Sequence, residues 1–272
     1  MKKLVKFSLL VMACALLIPG LAGCGKTAQN NPQPSSWKSI QAKHHVVIGL
    51  DDSFVPMGFR QKNGKLAGYD IDLARAVFKQ YGIKVDFQTI DWSMNVTELR
   101  NQTVDLIWNG LTITDERQRA MTFSEPYLVN QQVLVVKKSQ HIHSPQDMTG
   151  KTLGVQSGSS GAQDIDRFPK LLKQRIKKHT PVLYDTFNNA FIDLKADRIQ
   201  GLLIDSVYAN YYLQHLPNPG DYRVIKSGMP SEYFAVGIKK GNQEVKQKID
   251  QGIEHLRKTG ELQRINQKWF GK

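Results

Sequence analysis

Two turns of this 272-residue chain carry side chains fit to grip a small charged molecule. In the first, Asn109, Gly110 and Thr112 stand ahead of Arg117, so a hydroxyl and backbone N–H groups precede a guanidinium able to hold a carboxylate through two parallel hydrogen bonds. Taken alone, Arg117 reads as a surface residue more readily than as a grip. The second turn, GVQSGSSG from Gly154 to Gly161, contains Gln156, Ser159 and Ser160 and lies between a strand pattern and a helix pattern. Its N–H groups and hydroxyls suit an anion at a helix N-terminus, although a plain strand-to-helix turn looks the same. It has neither GxGxxG spacing nor a P-loop lysine, which disfavours a nucleotide. Asp51 and Asp205 each end an apolar strand pattern, and strand C-termini are where open α/β sheets bind ligands. Phe54 and Trp92 follow strands and fit either a pocket wall or the core. A cationic grip, an anionic grip and apolar walls together suit a zwitterion.

Other chemistries find less support. No GxSxG elbow and no HExxH motif occurs, and the pairs His44-His45 and His141/His143 have no acids at ligand spacing. The expectation is a non-enzyme with no metal and no cofactor. Cys14 and Cys24 are the two cysteines, so thiol and disulfide chemistry is absent beyond residue 24. Thirty-seven Lys and Arg against 24 Asp and Glu give a formal charge of +13. The basic residues are spread over both halves, with one denser run from Lys170 to Lys178, which reads as a solvated coat rather than a nucleic-acid groove.

The elements that must position these residues begin after an export segment. Lys2, Lys3 and Lys6 precede a mostly apolar run from Phe7 to Ile18, and Pro19-Gly20 ends it. The run is shorter than the roughly 20 residues of a membrane span, so it reads as a secretory signal. Leu21-Ala22-Gly23-Cys24 resembles a bacterial lipobox, which implies a signal peptide over 1–23, a lipid (palmitate) on Cys24 and a Gram-positive, outer-face location. Loss of residues 1–23 removes three lysines and no acid and leaves +10. Gly20 to Thr27 also satisfies GxxxxGK[ST], but no strand precedes it and the cleavage would cut it. Residues 24–36, polar and holding two prolines, read as a flexible tether.

From Val46 the chain alternates apolar runs with amphipathic stretches, the pattern of an α/β fold with mainly parallel strands. The pattern places strands at Val46–Leu50, Lys84–Thr89 and Val104–Trp108, with a helix at Asp70–Tyr81 capped by Asp70 and a helix at Asn95–Arg100. A second series resembles the first, with strands at Gln132–Val136, Thr152–Gln156, Val182–Tyr184 and Gly201–Ile204 and a helix at Asn188–Lys195. A strand at Phe234–Ile238 and a helical region from Glu244 to Trp269 close the chain.

Five ordered motifs carry a resemblance over residues 40–272. Gly68 to Ala74 (GYDIDLA) is similar to GFDxDLA, and Gly110 to Arg117 (GLTITDER) to GxTITxER, of the bacterial extracellular solute-binding proteins of family 3. FSEPY from Phe123, GVQSGS from Gly154 and KWFG from Lys268 match as well. The resemblance implies a two-lobed periplasmic-binding-protein fold in which the second lobe is inserted in the first. Lobe 1 is then 37–128 with 234–272, lobe 2 is 133–227, and two hinge segments run over 129–132 and 228–233. It implies a monomer that captures a polar amino acid by closing its lobes and delivers it to the permease, and through that to the ATPase, of an ABC importer. Carried over residue by residue, Arg117 holds the α-carboxylate with donors from Gly110, Thr112 and the Ser159-Ser160 turn. Asp205 holds the α-ammonium, and Asp51, Phe54, Trp92 and Gln156 surround the ligand side chain. Glutamine binders of the family typically carry lysine at the position of Gln156 and histidine at that of Ile204, which argues against glutamine. The serine-rich turn and LLIDSVYANYY from Leu202 are similar to cystine-binding members. Cystine is the leading expectation, and a mucin- or matrix-binding surface adhesin the alternative from another class.

Overall fold

A computed structural model describes residues 35–271. The signal segment, Cys24 and the tether up to residue 34 lie outside the described residues. The end of the expected tether belongs to the folded body: Ser36 caps the helix Trp37–Lys43 by accepting from the Ser39 N–H at 3.2 Å, and Ser35 is buried.

Two five-stranded sheets share one plan. In the first the order is Lys84–Thr89, His45–Leu50, Leu106–Ile107, Gly237–Lys239, Met121–Phe123. Its first three strands are parallel, with Ile48 opposite both Phe87 and Leu106, and Gly237–Lys239 runs antiparallel to both its neighbours. In the second the order is Val182–Tyr184, Leu153–Gln156, Gly201–Asp205, Leu128–Lys137, Tyr222–Phe234, again three parallel strands followed by antiparallel pairings. In both sheets the parallel strands lie in the order second, first, third along the chain. The repeated series read from the sequence is therefore a repeated topology. A small antiparallel sheet of Ser53–Phe54, Gly58–Arg60 and Leu66–Ala67 sits beside the first.

All strands of the second sheet fall between residues 128 and 234, while the first draws strands from both sides of that span. The two bodies are joined by the long antiparallel strands Leu128–Lys137 and Tyr222–Phe234, paired from Leu128 with Phe234 to Lys137 with Tyr222 and broken by a register shift between Lys226 and Ser231. This corrects the expected strand at Phe234–Ile238. Phe234 ends one sheet and Gly237 begins the other, because Ala235 donates to the Leu111 carbonyl and Val236 to the Ser124 hydroxyl as the chain crosses.

The helix Tyr69–Lys79 buries Ile71, Leu73, Ala74, Val77 and Phe78, each removing apolar area worth roughly 1 to 3 kcal/mol. Its start corrects a second expectation. Gly68 occupies the cap position at φ 150°, where a Cβ would lie 2.1 Å from the Met57 carbonyl oxygen, and Asp70 is not the cap. Asp70 instead lies fully buried, its Oδ2 accepting from the Gly110 N–H at 2.7 Å and from the Tyr127 hydroxyl at 2.9 Å. Burial pushes its carboxyl up to about 7, against these two donors.

Between the unfolded carboxyl value of about 4 and that raised value, the folded chain holds a proton the unfolded chain has lost. The Asp70 contribution to stability is thus greatest in acid and falls as pH rises to about 7. Thermal unfolding of wild type and Asp70→Asn over this range is expected to show the wild type losing ground to the variant as pH rises. Parallel melting curves would mean that Asp70 is ionised throughout.

Candidate ligand-binding site

The C-terminal ends of the parallel strands of both sheets converge on one small cavity. Of the eleven residues expected in the site, Phe54, Trp92, Gly110, Thr112, Arg117, Gln156, Ser159, Ser160 and Asp205 line it. Asp51 and Asn109 complete the set just behind, since Asp51 accepts from Gln156 Nε2 at 2.8 Å and the Asp51 N–H donates to Asn109 Oδ1 at 3.1 Å. Asn109 therefore ties together the turns that follow two adjacent parallel strands. Cys24, the expected lipidation site, lies outside the described residues.

Arg117 projects from the helix Asp115–Ala120, whose cap Thr114 accepts from the Arg117 N–H at 3.2 Å. Its side chain is only 2% exposed. Nη1 donates to the Thr112 carbonyl at 2.9 Å and Nη2 to the Gly158 carbonyl at 2.8 Å, so one guanidinium bridges the two bodies. Burial brings it down to about 10, opposed by the charges of Glu232 and Asp205. It therefore stays cationic at neutral pH, with N–H donors left for a carboxylate. Trp92, held in a short turn capped by Asp91, lies with its ring 5.9 Å from the guanidinium carbon.

Two expected donors are already occupied. The Gly110 N–H is engaged by Asp70, because φ 57° and the close approach of Phe54 leave room for glycine alone and turn the amide inward. The Ser159 hydroxyl caps the helix Ser160–Arg167, accepting from Ala162 N–H at 3.1 Å and donating to the Gln156 carbonyl at 2.7 Å. A helix leaves its first N–H groups, here those of Ser160 and Gly161, without intrahelical partners. Ser160 Oγ donates to Thr112 Oγ1 at 3.2 Å, a second link between the bodies.

Asp51, raised by burial, accepts from the Ser53 N–H and hydroxyl at 2.9 and 2.6 Å as well as from Gln156. Phe54 packs 5.8 Å from Phe187 and 5.4 Å from Tyr208, which closes the apolar side of the cavity with rings from the other body. Asp205 ends its strand, with Oδ1 accepting from Asn130 Nδ2 at 2.5 Å and Gln132 Nε2 at 3.0 Å. Burial, then the charge of Glu232, pushes its carboxyl up. Asn130, Gln132 and Glu232 were missed. The first two carried a usable signal: polar residues two apart share one face of a strand, here just ahead of the apolar run VLVV from Val133 to Val136. Among the described residues no cluster of His, Cys, Asp and Glu is arranged to hold a metal ion.

A buried cation and a buried acid facing one cavity between two like-folded bodies define a two-lobed binding protein. The model of the bacterial extracellular solute-binding proteins, family 3, matches residues 46–272, and the chain belongs to that family. It is a substrate-binding component of amino-acid ABC transport, not an enzyme. It is similar to the L-cystine-binding protein TcyJ of Escherichia coli K12, 25% identical over 96% of this chain and 93% of that protein. The L-cystine-binding protein TcyA of Bacillus subtilis is 28% identical over 98% of each. Among solved structures, an ABC uptake transporter substrate-binding protein from Streptococcus pneumoniae with bound histidine is 51% identical, with a TM-score of 0.85 over 87% of this chain and 96% of that one. A polar amino acid ABC uptake transporter substrate-binding protein from Streptococcus thermophilus is also 51% identical, with a TM-score of 0.56 over 87% and 89%.

Arg117→Lys keeps the charge and loses the planar fork that reaches both Thr112 and Gly158. Calorimetric titration with polar amino acids is expected to show affinity falling on the order of 10- to 100-fold, or roughly 1.4 to 2.8 kcal/mol. An affinity unchanged within about twofold would remove Arg117 from the carboxylate grip.

Proposed function

We propose that this chain captures a polar α-amino acid outside the membrane and presents it to its permease, held to the outer face of a Gram-positive membrane by a lipid on Cys24. The observation that carries the reading is the pairing of Arg117 and Asp205, both buried, on one cavity. Arg117 holds the α-carboxylate together with the N–H groups of Ser160 and Gly161, and Asp205 holds the α-ammonium. Charge-assisted hydrogen bonds contribute roughly 1.5 to 3 kcal/mol each, and a micromolar complex needs about −8 kcal/mol, so a few such bonds and two aromatic walls suffice. Residues 37–128 and 234–272 form one lobe, 133–227 the other, and 129–132 with 228–233 form the hinge. Two relatives of equal 51% identity that superpose at TM-scores of 0.85 and 0.56 are what a rigid-body displacement of one lobe produces, which supports closure about that hinge.

The far end of the cavity ranks the ligands. There Asp51 and Gln156 meet, an acceptor-rich end that suits a side chain carrying N–H donors. The imidazole of histidine fits this description, and the Streptococcus pneumoniae neighbour holds histidine. Cystine, the expectation from sequence, would bring a second ammonium to Asp51, in keeping with its cystine-binding relatives. Its second carboxylate, however, meets no cation, since Arg117 is the one basic residue among the described lining residues. Histidine therefore ranks first and cystine second.

Calorimetric titration of the body from Thr27 onward against the twenty amino acids and cystine tests both levels. Histidine is expected to bind tightest and glutamine poorly. Tighter binding of cystine would reverse the ranking, and no binding by any of them would overturn the transport reading.

A further inference from the structure

Glu232 stands directly behind Asp205, on the strand Tyr222–Phe234. Its Oε2 accepts from Asn130 Nδ2 at 2.9 Å and Gln132 Nε2 at 3.1 Å, the same two amide nitrogens that donate to Asp205 Oδ1 at 2.5 and 3.0 Å. Two buried carboxylates thus share one pair of donors, and Thr112 of the other body donates to Glu232 Oε2 at 3.3 Å. Burial and the like charge of Glu232 disfavour ionisation of Asp205. Arg117 is the basic group facing them, and it spends Nη1 and Nη2 on carbonyls. A third acid, Asp164 of the helix Ser160–Arg167, meets the Glu232 side chain at hydrogen-bond distance and is pushed up to about 6 by burial and by the Glu232 charge, with Arg167 opposing, while Glu116 stands beside Arg117.

We propose that Glu232, set behind Asp205 on the same two amide donors, keeps a proton on Asp205 when the cleft holds no ligand, so that arrival of a ligand ammonium expels that proton from the site. The inference rests on the amino-acid reading above and deepens it. Without ligand the proton sits on Asp205, whose carboxyl is pushed up by burial and by the charge of Glu232. An α-ammonium brings three N–H donors and one positive charge, which makes full ionisation of the pair favourable, and the displaced proton passes to solvent. Asp205 touches the ligand. Glu232 acts through Asp205, as a positioning residue that ties the charge state of the ligand to Asn130 and Gln132 on one crossing strand and to Glu232 itself on the other.

Such a step is read by titrating the protein with L-histidine at about pH 7 in two buffers of low and high ionisation enthalpy. The wild type is expected to release about one proton more than Glu232→Gln. The imidazole's own titration is common to both proteins and cancels in the difference. Affinity of Glu232→Gln is expected within about tenfold of the wild type. Glu232→Asp keeps the negative charge and is expected to retain at least about half of the release, which separates an electrostatic role from a structural one. Equal release by wild type and Glu232→Gln, or loss of release in Glu232→Asp as complete as in Glu232→Gln, overturns the coupling of Glu232 to Asp205 while leaving amino-acid binding intact. Failure of the wild type to bind histidine, cystine or any other amino acid overturns the underlying reading and the inference with it.

Discussion

The Arg117 guanidinium is a charge buried between two bodies, and much of the surrounding structure follows from what such a charge requires. A buried cation must be hydrogen-bonded and balanced. It gains one carbonyl from its own body at Thr112 and one from the other at Gly158, so its solvation shell is assembled only when the bodies meet. Acids supply the balance from behind, through Asp205 and Glu232. The position after Ser157 is glycine for a related reason: φ there is 68°, and a Cβ would stand 2.5 Å from the Ser93 backbone across the cleft. The turn can deliver a carbonyl to Arg117 only by coming that close.

Asp70 does for the first turn what this charge does for the cleft. By taking the Gly110 N–H and the Tyr127 hydroxyl on one oxygen, it links the start of a helix, the turn that leads to Arg117, and the residue just before the crossing strand Leu128–Lys137. A carboxylate in that position costs stability at neutral pH through its desolvation, yet it fixes three elements at a single point. Gly68 makes the arrangement possible, since only a residue without Cβ passes beneath the Met57 carbonyl. The sequence GYDIDLA therefore encodes a junction as much as a helix start.

The strands and helices were legible because their apolar residues recur at strand and helix spacing. Lys84–Thr89 and Val182–Tyr184 have the expected bounds, and the helix Phe187–Lys195 begins one residue earlier than expected, on a buried ring. The cavity was legible because its grips lie at strand ends in recognisable turns. What escaped has a common cause. Asp70 as a cap, an uncommitted Gly110 N–H, and Phe234–Ile238 as one strand were inferred from local sequence, whereas the partner that decides each lies far along the chain. Asp70 acts on Gly110, forty positions on, and Val236 meets Ser124 more than a hundred positions back. Glu232 was hidden for the same reason, because only the pairing of Glu232 with Asn130 brings it behind Asp205.

The basic composition points away from this interior. The cleft and its backing hold Asp51, Asp205, Glu232 and Asp164 against Arg117, while the excess of lysine and arginine is spread over the chain and gives the formal +13. A zwitterion has no net charge, so the field of the coat does not steer it, and screening over about 8 Å at physiological salt shields the site from distant surface charge. Recognition must then come from the paired groups inside, where water is excluded and each unmatched charge is costly. Net charge and ligand chemistry are thus set by different surfaces of the same molecule. A chain of opposite overall charge with the same Arg117, Asp205 and Glu232 would be expected to hold the same ligand, and would differ in how it meets charged surfaces.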